Sequence, residues 1–262
     1  MSAILKPIIR RLAEAGSAPQ VEEAPKVPWA FAIAGTLLGC ILFGVYRWYQ
    51  QTYSFTVGLD YFEPEFQTYW MRLFYTQMMV IALAGMIGAP LLWFTRDRHI
   101  ELLSPQQELK RFYFVFSLLA VGSVLVVAVL GIFVEADAAW HQVTVRDTDF
   151  TPTHIGLFYF AIPLGLVGLI LGFIWIHTRL PSFSQRLSIP LAMATAGPIL
   201  IMPNLGLNEW GHTFFYAEEL FAAPIHWGFV VLGWSLFALG GFILQCLQRM
   251  HELTMLPATQ QS

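Results

Sequence analysis

The chain has 262 residues, of which 56% are hydrophobic, 15% aromatic and only 12% charged, with a mean hydropathy of +0.59. Charged residues normally make up about a quarter of a soluble domain, so half that share leaves too little polar surface for water and makes lipid the solvent. The formal net charge of −3 excludes a nucleic-acid-binding surface, which needs clustered excess Lys and Arg to neutralise phosphates.

Residues 1–26 are expected to form a cytoplasmic segment and linker. Within them the run Ile4-Leu5-Lys6-Pro7-Ile8-Ile9-Arg10-Arg11-Leu12 mixes apolar and basic side chains, as a short interfacial helix does, and 16–28 is rich in Ala, Pro and Glu. Residues 1–23 carry six charges without an apolar core of signal length, so the first apolar run is expected to remain as an anchor. Six charge-poor runs then follow, at about 27–46, 73–95, 112–134, 155–176, 187–207 and 220–248. Each is expected to be helical, because lipid offers no hydrogen bonds to an open backbone. The predicted fold class is therefore an all-α integral membrane protein with a six-helix transmembrane domain over 27–248 and a cytoplasmic tail over 249–262.

Orientation follows from the basic residues. With the N-terminus inside, Lys6, Arg10, Arg11, Lys26, Arg96, Arg98, Lys110, Arg111, Arg179, Arg186 and Arg249 fall on the cytoplasmic side, leaving Arg47, Arg72 and Arg146 outside. Both termini are thus predicted to be cytoplasmic, and the acidic loops face outwards. Gly35-x3-Gly39 and Gly168-x3-Gly172 place small residues on one helical face, where close helix contact is expected. Trp48, Tyr49, Tyr69, Trp70, Trp93 and Trp140 read as interface anchors, and Cys40 and Cys246, which have no metal-type spacing, as buried thiols.

Four of the seven histidines, His141, His154, His212 and His226, flank the outer ends of the last four runs. His177 lies at the cytoplasmic end of the fourth run, without a second histidine at matched depth, and reads as interfacial. Asp137 and His141 are four apart and share a helical face, with His154 entering from the start of the next run. Two imidazoles and one carboxylate leave coordination positions open on a metal, and iron, copper and zinc all suit such a set. The alternative is that Asp137 and His141 cap a helix end and solvate a loop. A second set has the same form: Asn208 precedes His212 by four, and His226 lies inside the sixth run. A lone imidazole there is costly unless bound or paired, Glu218 and Glu219 being the pairing candidates. Paired axial histidines for two haems, a broken helix with a mid-depth charged pair, a nucleophile elbow, a phosphate loop and a His-Glu-x-x-His motif are all missing from the sequence.

The strings Trp140-His141-Gln142, Arg146-Asp147-Thr148-Asp149-Phe150-Thr151-Pro152-Thr153-His154, Asn208-Glu209-Trp210-Gly211-His212 and Glu218-Glu219-Leu220-Phe221 resemble the C subunit of the copper membrane monooxygenases. This family contains particulate methane monooxygenase, ammonia monooxygenase and short-chain hydrocarbon monooxygenases. The resemblance extends from Gly58-Leu59-Asp60 and Pro64-Glu65-Phe66, through Thr95-Arg96-Asp97-Arg98, to Pro224-Ile225-His226-Trp227-Gly228-Phe229. It implies copper at two sites, one at Asp137, His141 and His154 and the other at Asn208, His212 and His226, with zinc as a substitute occupant. It also implies an A-type membrane subunit and a B-type cupredoxin-like subunit in a trimer of heterotrimers, in a bacterial inner or intracytoplasmic membrane, with the metal sites towards the periplasm.

The implied reaction inserts one oxygen atom from O2 into methane, ammonia or a short alkane, with a quinol as electron donor. Asn208, His212 and His226 are expected to be the catalytic set, because His226 is drawn into the membrane where apolar gases partition. The Asp137 site is then a second catalytic, electron-relay or stabilising metal. Glu209, Glu218 and Glu219 are candidates for proton supply, and Phe214, Phe215 and Tyr216 for the substrate pocket. The competing expectation is a scaffold subunit with structural metals, oxidation occurring in the cupredoxin-like partner.

Overall fold

The computed structural model describes residues 25–143, 152–200 and 218–255. Every regular element among them is helical. Helix α1 is Trp29–Tyr53, α2 is Pro64–Phe94, α3 is Pro105–Val143, α4 is Pro152–Arg179, α5 is Ile189–Leu200 and α6 is Glu218–Met255. The first four are long and apolar enough to cross a membrane, which makes the chain a multi-pass membrane protein. The expected run 187–207 coincides with α5 for 12 described residues, and 220–248 falls within the 38 residues of α6. The expected interfacial helix at 4–12 lies outside the described residues.

Helix α1 packs on α3, α2 on α4, and α6 on α3. Their outward faces are bare hydrocarbon: Trp29, Ile33, Leu37, Leu38 and Ile41 on α1, Met86, Ile87 and Phe94 on α2, and Trp234 and Phe237 on α6 are all exposed. Water would penalise such faces, whereas lipid covers them without cost. The small-residue face of α1 meets α3 as expected: a Cβ on Gly39 would run into the Leu125 side chain, and one on Gly35 would lie 3.5 Å from Val121. The other expected pair is different, since among the described residues no atom lies within 4 Å of a Cβ added at Gly168 or Gly172. The close approach between α2 and α4 instead uses Gly85 and Gly88, the latter 3.0 Å from Leu171 by the same measure. Four-residue spacing identifies a face but not the neighbour it meets.

Two π-helical turns interrupt the bundle, Gln67–Met71 in α2 and Leu157–Ala161 in α4. The second precedes Pro163, whose ring excludes the carbonyl four residues back and whose nitrogen has no hydrogen to give it. Before α2 the chain turns at Gly58, where φ is +63° and a Cβ would sit 2.7 Å from the Phe66 backbone, a position only glycine fills without strain.

One end of the bundle is closed by arginines. Arg111 of α3 donates to Asp97, which follows α2, at 2.7 Å and to the Arg179 carbonyl at the end of α4. Arg179 reaches back to Leu92 O and to Thr95. Arg249 of α6 makes a two-pronged contact of 3.0 and 2.9 Å to Glu108 of α3, whose carboxylate is 3% exposed. His177 belongs to this end as well: its Nδ1 pairs with Phe173 O at 2.9 Å, and its Nε2 accepts the Ser188 N–H at 3.2 Å. It is therefore a structural joint at the turn into α5, where the sequence suggested only an interfacial residue. Phe112, Leu180, Phe242 and Cys246 form the apolar core beneath this end.

Two further expectations change. Trp70 is fully buried, its indole N–H held by Val57 O at 2.9 Å, so it is a core residue and not an interface anchor, whereas Trp48 and Trp93 are exposed as anchors should be. Cys40 faces outwards while Cys246 is buried, because a thiol is small and apolar enough for either side of a membrane helix.

Arg249→Met is expected to destabilise the chain by about 3–5 kcal/mol, since it strands the Glu108 carboxylate in an apolar setting. The double variant Glu108→Leu/Arg249→Met should recover most of that loss, and a double-mutant cycle of unfolding in detergent checks it. The Arg111 guanidinium holds the Asp97 carboxyl below the usual carboxylate range, outweighing the opposing effect of partial burial. A depressed carboxylate pKa adds stability that is fully present above the ordinary value of about 4 and is lost as pH falls through the lowered one. The stability gap between the native chain and Asp97→Asn should accordingly be widest near neutral pH and close on acidification, as thermal unfolding across that range will show.

Candidate metal centre

At the end of the bundle opposite the arginine cluster, α3 delivers Asp137 to the first turn of α4. His154 Nε2 lies 3.1 Å from Asp137 Oδ1, and the neighbouring Thr153 hydroxyl donates to the same oxygen. Asp137 is a turn and a half from the end of α3 and partly buried, and His154 is 8% exposed, so neither serves as a solvated helix cap. The His154 ring meets the Phe158 ring edge-on with centroids 4.8 Å apart. Beneath it, Ile155 joins a buried cluster with Phe66, Trp70 and Met71, rimmed by Tyr49, Tyr53, Tyr61 and Tyr69.

This pair brings two of the six expected ligands together. The chemistry of the donor set fits a transition metal, because an imidazole nitrogen and a carboxylate oxygen in contact share a proton that a cation can replace. Ligands about 2.0–2.2 Å from one ion lie roughly 3 Å from each other, so both atoms can reach a common cation without backbone movement. His141 is on α3 one turn beyond Asp137, and His226 is within α6; both side chains lie outside the described residues. Asn208 and His212, with Glu209, Phe214, Phe215 and Tyr216, also lie outside them. Among the described residues no three metal-binding side chains converge.

The start of α4 is held by side chains that the sequence reading passed over. Gln50 of α1, 1% exposed, donates to Pro152 O at 2.9 Å. Gln77 of α2 donates to Ile155 O at 2.8 Å and to Tyr159 O at 3.2 Å. The Tyr46 hydroxyl in turn donates to Gln77 Oε1, while its ring stacks on Phe160 with centroids 4.5 Å apart. A signal was present in the sequence: an amide inside an otherwise apolar run is costly in lipid and implies a partner.

A groove of about 320 Å³ between α2 and α4 is lined by Ile81, Ala82, Gly85, Met86, Val167, Ile170 and Leu171. Its lining holds no His, Cys, Asp or Glu, and it is separate from the Asp137–His154 pair.

No curated protein matches the sequence. Residues 14–256 match the family model for the C subunit of ammonia monooxygenase/methane monooxygenase. A match over nearly the whole length, on an all-helical membrane-spanning frame, shows the family: the chain belongs to the C-subunit family of the ammonia and methane monooxygenases and is one membrane component of a multi-subunit monooxygenase.

Proposed function

We propose that this subunit serves a copper-dependent monooxygenase that inserts one oxygen atom from O2 into methane, ammonia or a short alkane. The single observation that carries the reading is the junction of Asp137 and His154, a partly buried carboxylate and a buried imidazole from different helices 3.1 Å apart in a member of this family. Asp137, His141 and His154 hold one copper in this reading, and Asn208, His212 and His226 hold the other. Zinc is a substitute occupant. Bound copper supplies the one-electron chemistry that O2 activation needs, with two electrons from a quinol and two protons converting the second oxygen atom to water.

The chain's own residues do the rest. Asp137 offsets cationic charge in a medium that solvates ions poorly. Thr153 fixes one carboxylate oxygen, so that Asp137 presents a defined face to a ligand. Phe158, Ile155 and Trp70 pack the underside of the pair and keep water from it. His226 belongs to the catalytic set because its place in α6 draws that site towards the membrane interior, where apolar substrates partition.

The basic end of the bundle is assigned to the cytoplasm, which puts both termini there and both metal sites towards the periplasm of a bacterial inner or intracytoplasmic membrane. Helices α5 and α6 complete six crossings. An A-type membrane subunit and a B-type cupredoxin-like subunit complete the heterotrimer, three of which form the assembly.

The test is copper content, substrate oxidation and assembly measured together on the purified membrane complex. His154→Ala is expected to remove roughly half of the copper bound to this chain, and Asn208→Ala/His226→Ala to abolish oxidation with the assembly intact. If copper leaves an intact complex and oxidation persists in both variants, the metals of this chain are structural and the chemistry belongs to the cupredoxin-like partner.

A further inference from the structure

We propose that Gln50 and Gln77 are positioning residues that hold the start of α4, and with it His154, in register with Asp137. The inference rests on the reading of Asp137 and His154 as metal ligands. Both amides are buried, Gln77 at 5% exposure, inside helices whose other buried side chains are almost all apolar. Burying an amide in such a setting is unfavourable unless its hydrogen bonds are made. The bonds made are to Pro152 O, Ile155 O and Tyr159 O, carbonyls two residues before, one after and five after His154. Gln50 Oε1 is buried without a partner among the described residues, so the polar compensation for burying this side chain is its grip on Pro152.

The local backbone makes such a grip useful. A π turn and Pro163 loosen the regular hydrogen-bond ladder of α4 within a few residues of His154, leaving the segment less able to fix its own pitch. The glutamines restore that definition from outside, one from α1 and one from α2, while Asp137 approaches from α3. His154 is thereby referenced to three helices. Gly156 completes the fit: a Cβ there would lie 2.6 Å from Gln50 Nε2 and 3.0 Å from Phe133 Cε1, so the missing methyl is the space the Gln50 amide occupies. The Tyr46 hydroxyl, donating to Gln77 Oε1, turns the Gln77 amide so that its N–H groups face α4.

Loss of an outer-shell partner of a metal ligand typically weakens metal binding or activity 10- to 100-fold. The experiment compares copper(II) titration and the imidazole-nitrogen hyperfine couplings of the bound ion in the assembled membrane complex. The variants are Gln77→Met, which deletes the amide at similar volume, and Gly156→Ala, which adds one methyl and displaces the Gln50 amide. Gln245→Met is the control, since Gln245 accepts from the Ser188 hydroxyl at 2.7 Å near the arginine end and removing it perturbs packing without reaching α4's first turns.

Gln77→Met and Gly156→Ala are expected to raise the half-saturating copper concentration of the His154 site at least about tenfold and to shift its nitrogen couplings, with Gln245→Met keeping native values of both. Native values in both test variants would overturn the proposal, as would an equal shift in the control, which would mark the effect as general loosening. Should Gln77→Met fail to assemble, Gly156→Ala carries the test alone. His154→Ala run alongside separates the two levels of inference: a copper signal that survives it removes the metal reading itself, whereas one that needs His154 but ignores both test variants removes only the positioning role.

Discussion

The constraint on which this molecule depends is that lipid supplies no hydrogen bonds. Every backbone group in the apolar layer must find its partner within the protein. For most of the chain the α-helical ladder meets that demand. Near the start of α4 that ladder is irregular, because a π turn spans Leu157–Ala161 and Pro163 follows it without an N–H. There Gln77 donates to Ile155 O and Tyr159 O, Tyr46 orients Gln77, and Gln50 secures Pro152. The polar centre of the bundle thus coincides with an irregular stretch of backbone, in the helix that also carries His154.

The two ends of the bundle treat charge in opposite ways. At one end Arg111, Arg179 and Arg249 tie the termini of α2, α3, α4 and α6 together with forked donors that satisfy carboxylates and helix-end carbonyls at once. Such contacts are rigid and internally complete. At the other end Asp137, Thr153 and His154 form a smaller set whose donors and acceptors point directly at one another. A pair joined by one shared proton can exchange that proton for a metal ion, which a fully paired arginine cluster cannot do. The contrast concentrates arginine–carboxylate pairs at one end of the bundle and a carboxylate–imidazole pair at the other.

Much of this was legible in the residues. The apolar runs foretold helices at 27–46, 73–95, 112–134 and 155–176, and each lies within an observed helix apart from its terminal residues. The helices run beyond the apolar stretches, as α3 does to Val143, because the polar turns that carry Asp137 and His141 are held by the same backbone ladder. Asp137 and His141 were expected to approach one cation with His154, and the structure brings Asp137 and His154 into contact. That expectation rested on the four-residue spacing of Asp137 and His141 and on the placement of His154 at the start of the next run. Gln50, Gln77 and the burial of Trp70 were missed. An interfacial tryptophan and a core tryptophan are the same letter, and an amide in an apolar run announces a cost without naming the partner that meets it.

Composition and the length of the apolar runs by themselves determined that the chain is helical and membrane-embedded, since those properties depend on side-chain solvation and on a backbone that must pair with itself in lipid. The family strings added the chemistry to look for. Which helix faces meet was decided only by the tertiary structure: Gly39 against Leu125, Gly88 against Leu171, Gln77 against the carbonyls of α4, and His177 against Ser188. The reason is geometric. Spacing along one helix defines a face of that helix, but the partner of that face is set by how several faces fit at once, and no single run of residues contains that information.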